Sequence, residues 1–527
     1  SEMNTAELLQ VGKVSGDGRT DSPVDSPMAT NGNIYALACS IFASISSVLL
    51  GYDTGVMSGA GLCIKKDLKI SDVELEILTG TINIYSLLGS FLAGRTSDWI
   101  GRRYTMSVAG VIFLAGAFLM AFATNYPFLT AGRFVAGIGV GYALMIAPVY
   151  TAEVSPSASR GFLTSFPEVF INAGVLLGYI SNYAFSGLPL HLGWRLMLGA
   201  GALPSLFLAA VALAMPESPR WLVMRGRLGE ARMVLEKTSV SREESETRLA
   251  EIKEAAGIPA DCNDEVVAVV KDGGGKEVWK ELLLRPTPTV RRILIAGVGI
   301  HFFQQASGVD SVVLYSPRIF EKAGIRSDNR KLLCTIAVGF CKTLFVLIAT
   351  FLLDRVGRRP LLLASSGGML ASLLLLGTGL TVVDHSRTQQ RWAIGMCIAM
   401  VLTSVSFFSA GMGPIAWVYS SEIFPLRLRA QGASVGVSVN RLMSGVVGTT
   451  FLSLYKAVTI GGAFFMFAGI AAVGWVFFYT FLPETQGRTL EEMEELFRNF
   501  RWAMEAFGGC ACSGEPEPVK EENRSCS

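Results

Sequence analysis

The chain has 527 residues, 51% of them hydrophobic and only 17% charged, and its mean hydropathy is +0.45. A soluble globular chain carries about a quarter charged residues, so this composition belongs in a membrane. With 45 Lys and Arg against 43 Asp and Glu the net charge is +2, which supplies no basic field for nucleic acid and excludes it as a partner.

In chain order, residues 1–33 are polar and contain Gly, Ser, Asp and Pro, with no short apolar core or small-residue cleavage site of a signal peptide. They are expected to form a disordered cytoplasmic tail. Apolar stretches of about 20 residues, the length a helix needs to cross hydrocarbon, then recur near 34–60, 76–95, 104–123, 128–152, 162–186, 194–215, 293–320, 331–353, 360–383, 391–421, 430–454 and 460–482. The expected fold is an all-α membrane protein of twelve transmembrane helices in two six-helix halves, 34–215 and 293–482. A cytoplasmic helical linker at 216–292 joins them, and a cytoplasmic tail follows at 483–527.

Within the linker, LGEARMVLEKT and SREESETRLAEIKEAAG are amphipathic helix candidates, the second opened by a Ser241-x-x-Glu244 capping box. A similar box, Thr489-x-x-Glu492, opens an amphipathic segment of the tail that Gly508 and Gly509 stop. Eighteen Lys and Arg lie in the short loops after spans 2, 4, 8 and 10 and at the ends of the linker, against twelve in or beside the opposite loops. Positive charge stays on the cytoplasmic side, so the termini and linker are expected there.

Nine cysteines are present. Cys39, Cys334, Cys341 and Cys397 sit in apolar runs and read as small buried hydrophobes. There is no CxxC pair, and no metal or cofactor is expected. Cys510, Cys512 and Cys526 in the tail are open to lipidation, but the terminal Ser-Cys-Ser is no prenylation box.

The most informative stretch is HFFQQASGVDSVVLYSPRIF, His301 to Phe320. It places Gln304, Gln305, Ser307 and Asp310 inside an apolar run, where an unpaired amide in lipid costs several kcal/mol, so these groups must face other helices or water. Gly308 weakens the helix beside Gln305 and Pro317 removes a backbone donor, which together predict a broken helix lining a cavity.

The halves also repeat. GRTSDWIGRR at Gly94 is echoed by DRVGRR at Asp354, AEVSPSASR by SEIFPLRLR, and PESPR at Pro216 by PETQGR at Pro483, at offsets of 256 to 269 residues. Charges at matching topological positions in both halves are the mark of a transporter that rocks about a central site.

Together with QQASGVDSVVLYSP and GPIAWVYSSEIFPLRLR, these motifs resemble the sugar porter branch of the major facilitator superfamily, from about residue 34 to 497. FPEVFINAGVLLGYISNY and FQQASGVDSVVLYSPRIF are most similar to plant polyol and monosaccharide proton symporters.

Asp53, in VLLGYDTGVMSG, is a carboxylate at membrane depth, and Arg133, in AGRFVAGIGVG, is its natural counter-ion. Burial favours the neutral acid and the guanidinium the carboxylate, so a small change in their separation moves a proton. The alternative is a permanent ion pair joining two helices. The resemblance favours coupling, because proton symporters of the family carry Asp here and facilitative glucose carriers Asn.

The resemblance also maps the substrate site onto Gln304, Gln305, Trp417 and Asn440. The amides match vicinal hydroxyls and the indole packs on a polyol's C–H surface. Three positions depart from the family pattern: Glu168 where Gln is usual, and Asp310 and Lys342 where Asn is usual. Asp310 and Lys342 are expected to neutralise each other, leaving Glu168 protonated or hydrated.

Asp98 with Arg102 and Arg103, Glu153 with Arg160, and the second-half copies Asp354, Arg358, Arg359, Glu422 and Arg429 read as a cytoplasmic gate, or as topology-marking charge, or both.

The resulting expectation is a monomeric plasma-membrane symporter whose partners are protons, membrane lipids and a small polyol or sugar, with linear polyols foremost and cyclitols possible substrates. An uncoupled facilitator is the nearest alternative and a non-transporting sugar sensor a more distant one. An enzyme is excluded by the lack of a nucleophile–base motif and the scatter of the three histidines, His191, His301 and His385.

Overall fold

The computed structural model describes residues 27–156, 159–259, 264–267, 282, 284–386, 391–425, 428–486 and 492–499. Residues 1–26, the Thr489 capping box and Cys510, Cys512 and Cys526 fall outside that set, as do the side chains of Asp354 and Arg429.

The first half runs α1 (Pro27–Leu68), α2 (Asp72–Ile100), α3 (Arg102–Ala121), α4 (Tyr126–Val154), α5 (Arg160–Thr164), α6 (Phe166–Phe185), α7 (Leu190–Gly199) and α8 (Ala202–Ala212). Between the halves lie α9 (Pro219–Met224), α10 (Leu228–Thr238) and α11 (Arg242–Ala255). The second half runs α12 (Pro288–Ala306), α13 (Val309–Lys322), α14 (Asp328–Val356), α15 (Arg358–His385), α16 (Arg391–Phe407), a π-helical turn (Phe408–Met412), α17 (Gly413–Ile423), α18 (Arg429–Val458) and α19 (Ile460–Phe481), with α20 (Glu492–Asn499) beyond it. Because α1 starts at Pro27, the last residues of the expected disordered tail are helical.

Each of the twelve expected apolar stretches is helical, and ten of the spans are long and apolar enough to cross a membrane. The other two are the broken pair α12–α13 and α18, whose middle carries Asn440 and Arg441. The break falls where the sequence put it. Gly308, at φ +84°, adopts the left-handed conformation that separates α12 from α13, and an added Cβ would meet the Phe467 ring at 2.5 Å.

Capping chemistry sets several helix starts. Ser71 and Glu74 form a full capping box at α2 that the sequence pattern did not single out. The expected box at Ser241 is half formed: Ser241 Oγ accepts from Glu244 N at 3.1 Å, but the Glu244 carboxylate takes the N–H of Val240 instead of Ser241.

Each half builds its own apolar core. Val175 and Tyr179 of the first half enter the second core, and Trp417 and Val437 of the second half enter the first, so the crossings cluster at mid-depth. Helices α9–α11 have a small core of their own, including Leu222, Leu228, Leu235 and Leu249. They cap the bundle. Trp221 Nε1 and Arg225 Nη2 donate to Asp98 O at 3.1 and 3.2 Å, and Arg248 Nη2 donates to Val154 O and Ser155 O at 3.2 and 3.1 Å. These are last-turn carbonyls of α2 and α4, which have no partner within their own helices. Burial pushes the Arg248 guanidinium down to about 10, still charged at neutral pH.

Gly308→Ala should therefore lower the melting temperature of detergent-purified protein, through strain and the Phe467 clash together costing about 1–3 kcal/mol. Gly395→Ala, in α16 with nothing within 4 Å of the added carbon, should leave it unchanged or slightly raised. Equal melting temperatures for Gly308→Ala and Gly395→Ala would show that the break does not depend on glycine.

Candidate functional site

A cavity lies between the halves at mid-depth. Of the residues expected to bind substrate, Glu168 on α6, Gln304 and Gln305 on α12, Asp310 on α13, Lys342 on α14 and Trp417 on α17 line it. Asn440 does not. It is 0% exposed and sits behind Arg441, which faces the cavity together with Asn83 and Ser444.

The charges are balanced, though not in the expected pairs. Among the described residues Lys342 makes no direct ion pair with Asp310; its ammonium stands 5.6 Å from the Phe408 ring centroid, within electrostatic reach of Glu168 and Asp310. Asp310 instead accepts from Ser444 Oγ, and Glu168 accepts from Asn172 Nδ2 at 3.2 Å. The missing cation is Arg441, 4% exposed. Two carboxylates and two cations thus share one low-dielectric site, the arrangement that avoids a stranded buried charge. An arginine in the middle of the apolar run SVNRLMSG was the available signal.

The amides form a fixed frame around these charges. Gln304 Nε2 donates to Gly413 O at 2.9 Å and to Met412 O at 3.2 Å, at the junction of the π turn and α17, and Asn440 Nδ2 donates to Gln304 Oε1 at 2.6 Å. The Gln305 amide satisfies its neighbours when its nitrogen faces Asp310 Oδ2 and its oxygen Arg441 Nη2, both at 3.1 Å. His301 is buried beneath Trp417, ring centroids 5.1 Å apart, and hydrogen bonds Ser420 Oγ at 3.1 Å.

Asp53 and Arg133 meet as expected. Arg133 Nη1 lies 2.7 and 2.9 Å from the two carboxylate oxygens, and the pair is 2% and 1% exposed. Arg133 Nε also donates to Leu78 O of α2 at 3.1 Å, so the guanidinium ties three helices. Asp53 is off the cavity wall, but its neighbours Leu50 and Thr54 on α1 are on it.

At the end of the bundle that carries α9–α11, several of the expected gate charges pair within their own half. Arg102 binds Glu153 at 3.0 Å and Asp98 at 3.3 Å, and Arg358 binds Glu422 at 3.0 Å. Glu217 and Glu484 repeat one another, taking the backbone N–H of Arg102 at 2.8 Å and of Arg358 at 3.0 Å. These contacts rivet each half together. The halves themselves touch here through Ser165 Oγ on Thr350 Oγ1 at 3.2 Å and Phe162 against Phe351, with Arg160 in electrostatic reach of Glu422.

The opposite end is closed by polar links across the halves that sequence reasoning missed. Glu76, 2% exposed, accepts from Ser453 N and Oγ at 2.8 and 2.7 Å. Asp72 gathers Lys456 at 2.8 Å, Arg318 at 3.4 Å and Lys65. Further in, Pro317 offers no N–H for the Val313 carbonyl one turn earlier, and Tyr179 Oη, from the other half, donates to that oxygen at 2.7 Å. With both ends shut the cavity retains about 40 Å3, room for a water molecule or two instead of a sugar.

Two repeated helical halves around a closed polar cavity define a secondary transporter of the major facilitator class, not an enzyme. Residues 39–497 match the Sugar (and other) transporter family model, and the chain belongs to that family. It is 67% identical over 471 residues to Polyol transporter 5 of Arabidopsis thaliana, covering 89% of this chain and 87% of that one. It is 34% identical to the glucose transporter GlcP of Staphylococcus epidermidis, covering 86% and 95%. Among solved structures, the proton:xylose symporter XylE bound to 6-bromo-6-deoxy-D-glucose superposes with a TM-score of 0.76 at 27% identity, over 88% of this chain and 99% of that one. The inward-open conformation of XylE from E. coli scores 0.67 at 26% identity over 88% and 100%.

Tyr179→Phe should loosen α13 over the cavity, because stranding a buried carbonyl costs about 1–3 kcal/mol. With native cysteines replaced, maleimide labelling of Thr54→Cys from the α13 side should quicken about tenfold at the lower part of that range. An unchanged labelling rate would mean that the carbonyl finds another donor.

Proposed function

We propose that the protein is a proton-coupled symporter of linear polyols and monosaccharides, working as a monomer by alternating access in the plasma membrane with its termini in the cytoplasm. The observation that carries the coupling is the Asp53–Arg133 pair on α1 and α4, in which Arg133 Nη1 contacts both carboxylate oxygens, sealed from solvent yet one residue from Thr54 on the cavity wall. A shift of α1 that accompanies substrate binding changes the separation of Asp53 from Arg133, and with it the affinity of the carboxylate for a proton.

Polyols are favoured by the relatives, which are named as polyol transporters. The mixed lining of Glu168, Asp310, Lys342 and Gln305 agrees with that reading, since it offers donors and acceptors to hydroxyls that each both give and accept a hydrogen bond. Proton coupling follows the solved symporter, and cytoplasmic termini follow the excess of Lys and Arg at the α9–α11 end. In this orientation the Glu76 and Asp72 links lie on the extracellular side.

Proteoliposome uptake of xylitol, sorbitol and glucose, with and without an inward proton gradient, tests the reading. Asp53→Asn keeps a hydrogen-bonding shape but cannot titrate. It should abolish accumulation against a gradient while equilibrium exchange survives at reduced rate, since the mutant strands the Arg133 charge at a cost of about 3–5 kcal/mol. Wild-type accumulation by the mutant removes Asp53 as the coupling site, and uptake by the wild type that ignores the proton gradient leaves an uncoupled carrier.

A further inference from the structure

We propose that Arg441, and not the neighbouring Asn440, is the substrate-binding residue of α18, and that its guanidinium selects open-chain polyols. The proposal rests on the polyol reading above and names the group that makes the selection.

Asn440 has nothing left to offer a ligand. Its Oδ1 accepts from Arg441 Nε at 3.0 Å and from Arg441 Nη2. Its Nδ2 donates to Gln304 Oε1 at 2.6 Å and approaches His301 Nδ1 at 3.4 Å. An amide has two donors and one carbonyl oxygen with two lone pairs, and all are engaged. The side chain is also 0% exposed and off the cavity wall. It acts as a positioning residue that aims Arg441 and Gln304.

Arg441 is on the wall. Of its five N–H donors, those on Nε and Nη2 face Asn440 and Gln305. The remaining nitrogen, Nη1, donates to Asn83 Oδ1 at 3.2 Å. Asn83 belongs to α2, in the other half, so this bond bridges the halves across the cavity. It cannot survive separation of α2 from α18, and opening of that end frees both N–H groups of Nη1. In the closed empty carrier, Asn83 therefore occupies a donor that a substrate hydroxyl takes when the carrier is loaded.

The acceptors complete the site. Asp310 and Glu168 lie on the same wall and accept hydrogen bonds from the hydroxyls that in turn accept from Nη1 and from Lys342. The two N–H directions of Nη1 diverge, so two hydroxyls that satisfy them must be splayed. An open chain reaches that spacing by rotation about its C–C bonds, whereas a pyranose ring holds adjacent hydroxyls at a fixed angle. A lysine in the same place supplies charge without the planar fork.

The test compares transport by Arg441→Lys and Asn83→Ala with wild type in proteoliposomes. Arg441→Lys should raise KM for xylitol and sorbitol about tenfold or more while KM for glucose moves by no more than about twofold. Asn83→Ala should lower the polyol KM, because the group that competes for Nη1 is gone. In the unmutated protein, sorbitol should slow phenylglyoxal modification of the peptide carrying Arg441 more than glucose does at equal site occupancy, a readout that needs no variant to fold. An unchanged polyol KM in Arg441→Lys, an equal loss for glucose and polyols, a polyol KM raised by Asn83→Ala, or no protection of the Arg441 peptide would each overturn the assignment. Absence of polyol uptake by the wild type would instead remove the polyol reading on which it rests.

Discussion

Glu168, Lys342 and Arg441, all buried, and the half-buried Asp310 meet in one cavity between the surrounding helices, where an unbalanced charge is costly. Removing one partner of a buried set costs about 3–5 kcal/mol, several times a typical surface pair. The four come from α6, α13, α14 and α18, so the requirement for neutrality fixes which helices must face each other at mid-depth. It also couples the closed state to its opening. When the halves part, water reaches charges that had only each other, and the cost of separating them falls.

The broken helix α12–α13 answers a second constraint. A backbone carbonyl inside a membrane protein needs a donor, and Pro317 takes one away from Val313. The donor arrives from Tyr179 of the opposite half, so a local defect in one half becomes a contact between halves. Gly308 supplies the hinge conformation that places Asp310 at the first turn of α13, beside the cavity. The two ends of the bundle are shut by different chemistry. At one end, ion pairs hold each half rigid and a thin contact of Ser165, Thr350 and two phenylalanines spans the halves. At the other, carboxylates of α2 reach directly into α13 and α18.

The internal repeat acquires a physical meaning in these contacts. Glu217 and Glu484 cap α3 and α15, Glu153 and Glu422 hold Arg102 and Arg358, and Gly101 and Gly357, both at φ +97°, make the same abrupt turn. The Arg102–Glu153 and Arg358–Glu422 motifs pair inside their own copy, and each copy supplies most of its own apolar core. The Arg102 and Arg358 pairs therefore rivet their own halves, while Arg160 lies in electrostatic reach of Glu422 across them.

The sequence alone determined the features that depend on local chemistry. Apolar run length set the spans, Gly308 and Pro317 set the break, the duplicated motifs set the two halves, and a lone carboxylate and arginine in apolar runs, Asp53 and Arg133, marked a pair. Most of the cavity wall was also legible, because Gln304, Gln305, Asp310, Lys342, Glu168 and Trp417 are polar or aromatic groups that hydrocarbon does not accept unpaired. Only the tertiary structure decided who partners whom. Asp310 goes to Ser444 instead of Lys342, Asn440 turns inward while Arg441 faces the cavity, and Glu76 finds Ser453 at a separation of 377 residues. Adjacent residues on a helix point about 100° apart, and a pairing between distant helices depends on how the two halves dock, which no short window of sequence records.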